Sequence, residues 1–184
     1  MYWCKRSAAI VIGVLLGTTS CKRDSNAAKD TMKFFDLKGY FSAEALRLSK
    51  QNPSVDKTAI YNYQTEEQKV HVNNWASELS MFTESDINKP AWRLSYDAQT
   101  SDGFITYKAK DLGLKTQGIT IKKDGDKIKW IMIINHTRST IFTKTLYETV
   151  EKLSYFPDSL YQIQKRQYTR LLGINKYSVK GKFN

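Results

Sequence analysis

The chain has two cysteines, two histidines and three prolines in 184 residues, and these shortages remove several kinds of chemistry at once. Cys4 and Cys21 are the whole thiol complement, so neither a disulfide framework nor a cysteine-rich zinc site can be built. His71 and His136 would need at least one further ligand to hold a metal. No H-E-x-x-H stretch or cysteine pair supplies it, and hydrogen-bonding histidines at strand ends are the simpler reading. No G-x-S-x-G elbow presents a serine nucleophile. Glu66 and Glu67 are adjacent acids, but neighbours in an extended chain point to opposite faces and cannot form a carboxylate dyad. Asp124-Gly125-Asp126 lacks the twelve-residue frame and closing Glu of a calcium loop and reads as a turn. No catalytic, cofactor-binding or metal-binding residue is singled out, and a protein without enzymatic activity is expected.

Long apolar runs are missing as well. The longest covers ten residues, Ala8 to Gly17, behind Lys5 and Arg6 and ahead of Thr18, Thr19, Ser20 and Cys21. A spanning helix needs about 20 apolar residues, whereas a basic start, a short apolar run and small residues are the layout of an export signal. The stretch "GTTSC" resembles the lipobox of bacterial lipoproteins, with Thr18 where Leu is usual, and looser boxes of this kind resemble those of Bacteroidota. The resemblance implies cleavage before Cys21 and acylation of its thiol, with palmitate among the chains attached. The chemistry agrees, because Cys4 leaves with the signal and Cys21 then has no disulfide partner. Each buried methylene contributes about 0.8 kcal/mol, so two or more chains anchor stably where one does not. The expected organisation is a lipoprotein signal peptide over 1–20, a flexible tether over 21–31 and a single domain over 32–184. Further on, "ELSMFTESDINKPAWRLSY" and "YSVKGKF" resemble lipoproteins of Bacteroidota over most of the mature chain. That resemblance implies a cell-envelope address and no chemistry. Lys22 stands where an Asp would resemble the inner-membrane retention signal. The expected address is therefore the outer membrane, facing the periplasm. One acid, Asp24, follows the cysteine, and surface exposure stays open on that account.

Acidic residues run out towards the end. None follows Asp158, while Lys165, Arg166, Arg170, Lys176, Lys180 and Lys182 do, interleaved with Tyr161, Tyr168, Tyr177 and Phe183. Loss of Lys5 and Arg6 with the signal takes Lys+Arg from 29 to 27 against 18 acids, and the net charge from +11 to +9. Basic and aromatic interleaving can mark nucleic-acid binding, but an exported protein meets little nucleic acid. An anionic lipid or glycan is the better partner. Strands with aromatic inner faces and lysine-bearing outer faces produce the same interleaving with no ligand at all.

Phe34, Leu37, Phe41, Ala45 and Leu48 recur at helical spacing, and "QNPS" at 51–54 stops the helix. "VDKTAIYNYQ" and "KVHV" read as a hairpin across "TEEQ". A second helix is predicted from Asn74 to Pro90, with Trp75, Leu79 and Phe82 on one face. The remainder alternates as strands, with "TSDG" and "DGD" as hairpin turns. Lys127 to Asn135, apolar on both sides through "WIMII", is expected to be the most central strand, and Trp130 to be buried. The predicted fold is α+β: two helices packed on one face of a curved antiparallel β-meander of about seven to nine strands. The function expected is a lipid-anchored binding or interaction module of the cell envelope with no cofactor. The alternatives are a carrier holding an apolar ligand between sheet and helices, and a hydrolase with a dispersed acidic site.

Overall fold

The computed structural model describes residues 33–184, which lie within one compact unit, Met32–Asn184. The expected signal peptide and tether, and with them Cys21, lie outside the described residues. The unit is α+β, with a sheet that dominates the helices.

Helix α1 spans Leu37–Gln51. Asp36 caps it by accepting from the Gly39 amide at 2.7 Å, which satisfies one of the amides a helix start leaves orphaned. Asn52 ends it in the left-handed conformation, φ 45°, donating back to the Leu48 carbonyl. Pro53 then prevents continuation. The helix buries Leu37, Phe41, Ala45 and Leu48, the predicted stripe.

The second helix is not continuous. It forms α2 (Trp75–Glu78), capped by the Asn74 side chain, and α3 (Ser80–Thr83), with a break at Leu79. Beyond Thr83 the run "ESDIN" is rich in side chains that bond their own backbone, as Asp86 does to the Asn88 amide at 3.1 Å, and that competes with helix. Trp75, Leu79 and Phe82 are nevertheless all buried, so the predicted face is right although the helix is broken. A 3₁₀ turn follows at Pro90–Trp92.

Among the described residues nine strands make one sheet: β1 (Ser54–Tyr61), β2 (Gln64–His71), β3 (Tyr96–Ser101), β4 (Phe104–Ala109), β5 (Thr116–Asp124), β6 (Lys127–Ile141), β7 (Lys144–Phe156), β8 (Leu160–Thr169) and β9 (Gly173–Phe183). The order is β2-β1-β9-β8-β7-β6-β5-β4-β3, every pair antiparallel. β3 to β9 is the expected meander. The amino-terminal hairpin then adds to its far side, pairing Val55 with Phe183. The first hairpin turns at Asn62-Tyr63, and "TEEQ" belongs to the return strand. Asn62 tolerates its φ of 53° better than most side chains.

Two expectations about β6 need correction. The middle strand of the nine is β7, with β6 beside it. Trp130 is half-buried rather than buried, because the helices cover only the face carrying Ile131 and Ile133. On that face rings fill the space between layers: Phe41 and Phe82 meet Tyr155 at 5.1 and 6.1 Å, and Trp75 meets Tyr161 and Phe183 at 6.2 and 5.7 Å. Trp130 stands on the opposite, open face beside Phe104, centroids 6.0 Å apart.

Candidate binding face

Two charged ties hold the helices to the sheet. The Tyr155 hydroxyl donates to Glu44 on α1 at 2.5 Å, and Glu44 also pairs with Arg47, which reaches Asp158 at 2.7 Å. The Tyr161 hydroxyl donates to Glu78 on α2 at 2.5 Å, and Lys57 sits 2.8 Å from the same carboxylate. Burial works against the charge on Glu44, but hydrogen bonds from Arg47 and Tyr155 outweigh it and hold that carboxyl below its ordinary value. Burial, then the neighbouring carboxylates, push the hydroxyls of Tyr155 and Tyr161 upward. Each perturbed group has a partner across the layers, so these shifts belong to the packing of the fold. A third polar group lies where the helical cover ends. Asn135 donates to Ser85 at 2.9 Å and to Glu151 at 3.3 Å, and Lys165 lies 3.7 Å from Glu151.

The residues weighed for chemistry do not come together. His71 is exposed near the end of edge strand β2, its Nδ1 3.1 Å from the Asn52 carbonyl. His136 lies on β6, five places across the sheet, 2.9 Å from Glu148. Glu66 and Glu67 are both exposed and sit opposite Ala59 and Thr58, on opposite faces. Gly125 turns the Asp124–Asp126 hairpin with φ 57°. Among the described residues no group of three or more His, Cys, Asp or Glu side chains is placed to hold a metal.

The late basic residues are sorted by the sheet. Along β8 and β9 the side chains alternate, so Tyr161, Tyr177 and Phe183 point to the helical side, while Arg166, Lys176, Lys180 and Lys182 point to the open face. Lys165 and Tyr168 are the exceptions. Register then brings Val150, Arg166 and Lys176 level on β7, β8 and β9, with Lys152, Gln164, Ser178 and Ile60 on the next level of the same face. They border a groove of about 430 Å³ floored by Ile60 and Val150, with Asn62 at its end. Among the described residues no carboxylate lies within ion-pair distance of Lys152, Arg166 or Lys176. Arg166 and Lys176 face each other directly across neighbouring strands. Like charges so placed destabilise a sheet, and an anion between them would relieve that repulsion. The alternation of "QKRQY" contains half of this arrangement; the cross-strand neighbours are set by a register that the sequence alone does not display.

No family model matches the chain, and no curated protein or solved structure is significantly similar to it.

Proposed function

We propose that the protein is a non-enzymatic binding module of the cell envelope, held to the outer membrane by acyl chains on Cys21 and facing the periplasm. Its ligand is an anionic glycan or lipid headgroup taken up in the groove on the open sheet face. The observation that carries this reading is the set of three cations, Lys152, Arg166 and Lys176, around an apolar floor with no carboxylate partner among the described residues. Such a rim and floor suit a charged group attached to a sugar ring or a short apolar body. The carrier alternative draws less support. The groove of about 440 Å³ beside α1 is lined by Leu46, Ser49, Asn73 and Ala76 on the outer side of the helices, and rings occupy the space beneath.

Calorimetric titration with two soluble probes, tetragalacturonate and dihexanoyl-phosphatidylglycerol, tests the ligand. At least one should bind, and Arg166→Ala with Lys176→Ala should abolish that binding without lowering the melting temperature, since it also removes their mutual repulsion. Binding that survives the double substitution would remove the groove from consideration. The anchor is tested separately. Labelled palmitate should enter the parent protein and not Cys21→Ser, and a variant that still takes up the label would contradict it.

A further inference from the structure

The two ends of the sheet are built differently. At one end the turns contain Asp102-Gly103, Gly125-Asp126 and Asp158, with Asp124 beside them. These turns are polar and acidic. At the other end the turns of the three long hairpins carry large apolar side chains pointing into water. Tyr63 is 101% exposed, Phe142 99%, Leu171 95% and Leu172 77%. Register puts the tips of β6–β7 and β8–β9 side by side: Tyr147 pairs with Thr169, and β6 and β7 run on past that level to the Ile141–Lys144 pair. The Arg170 amide ties the second tip to the Leu146 carbonyl at 3.0 Å, with an apolar cleft of about 660 Å³ beside it. Lys144 and Arg170 flank the two tips, and no carboxylate lies within ion-pair distance of either among the described residues.

Phe142 is an uncommon choice for its place. Of the five non-glycine residues with positive φ among those described, four are Asn or Asp and the fifth is Phe142, at 54°. Glycine or asparagine adopts that conformation at least cost, and a bulky residue there is strained. Strain of this kind persists where a side chain has a use, and here it projects a ring into solvent.

We infer that this end of the sheet docks on an anionic lipid bilayer, with Phe142, Leu171 and Leu172 entering the headgroup boundary and Lys144 and Arg170 contacting lipid phosphates. Apolar and aromatic side chains backed by cations are what an interfacial membrane contact requires. The turns of the opposite end, Asp102-Gly103, Gly125-Asp126 and Asp158, carry no large apolar side chain to insert, which fixes the orientation. The chain enters the described unit at a compatible end. Phe34 packs on Tyr96 and Tyr107, close to the 110–115 loop, and α1 runs from there towards Asp158. The twelve residues from Cys21 to Met32 reach about 40 Å when extended, so an anchored chain has slack to let the tips touch. The docking does not depend on the anchor, and the test separates them.

Nitroxide labels at Thr143→Cys and, separately, Asp126→Cys are placed in the chain from residue 21 onward carrying Cys21→Ser, and mixed with vesicles of three parts phosphatidylethanolamine to one part phosphatidylglycerol. The label at 143 should become accessible to oxygen and shielded from a water-soluble nickel complex, while the label at 126 stays in water. Both labels in water would overturn the inference, as would both entering lipid. Spin–spin broadening at 143 without vesicles would overturn it too, by showing that the tips meet a second copy of the chain. In sedimentation with the same vesicles, Phe142→Asn with Leu171→Ser and Leu172→Ser should weaken partitioning by at least about tenfold. Lys144→Glu in the otherwise unchanged chain should weaken partitioning as well, and an unchanged partition coefficient in the triple variant would again overturn the docking.

Discussion

Two tryptophans on opposite sides of the same sheet make the two-faced architecture measurable. Trp75 is 1% exposed and wedged against Tyr161 and Phe183, whereas Trp130 is half-buried on the open face with Phe104 as its aromatic neighbour. Truncating a fully buried Trp to Ala removes its transfer free energy and leaves a cavity, about 3–5 kcal/mol in all. A domain of this size loses roughly 2–4 °C of melting temperature per kcal/mol, so Trp75→Ala should lower it by about 6–20 °C. Trp130→Ala opens no enclosed cavity, because one side of the ring already faces solvent, and should cost about 1 kcal/mol. Trp75→Phe sharpens the comparison. The indole N–H of Trp75 is buried without a partner, and its removal recovers part of the lost packing, since an unsatisfied buried donor costs about 1–3 kcal/mol. Thermal melts followed by circular dichroism read all three. Equal losses for the two alanine variants, or a larger loss for Trp130→Ala, would refute the assignment of faces.

Gly181 should tolerate nothing larger than hydrogen: a Cβ there would lie 2.2 Å from the buried Tyr161 ring. Gly181→Ala is expected to cost about 1–3 kcal/mol by displacing that ring, and Tyr161→Leu in the same chain should restore part of it in urea unfolding. Glu44, whose carboxyl is held below its ordinary 4.5 by Arg47 and Tyr155 against the opposing effect of burial, gives stability that is complete above that value and lost as pH falls through the lower folded value. Glu44→Gln should therefore be less stable than the parent at neutral pH and should flatten its decline between about pH 5 and pH 3; parallel acid limbs would contradict this.

How far the sequence discloses this fold depends on whether the decisive signal is local. The α1 stripe, the helix start at Asn74 and the Asp-Gly turns are local, and each appears where the pattern predicts. The turn at Phe142-Thr143 divides "STIFTKTLYETVEKLSY", which reads as one strand, into the end of β6 and all of β7. It carries no glycine, asparagine or proline to announce it. Trp130 misleads for another reason. "WIMII" is apolar on both sides, which is the mark of a strand covered twice, yet α1, α2 and α3 all pack on the face carrying Ile131 and Ile133. The groove is the least local feature. Its cations come from β7, β8 and β9, and its floor from β1 and β7, joined only once the amino-terminal hairpin pairs with the last strand.

A titration of ¹⁵N-labelled protein with tetragalacturonate and with dihexanoyl-phosphatidylglycerol, followed amide by amide, bears on the groove itself. One probe should shift Val150, Lys152, Arg166 and Lys176 together and saturably, leaving Leu37, Ala45 and Trp75 on the helical side still. Shifts spread over exposed lysines on every face, or confined to the helical side, would contradict an anionic ligand in the open-face groove.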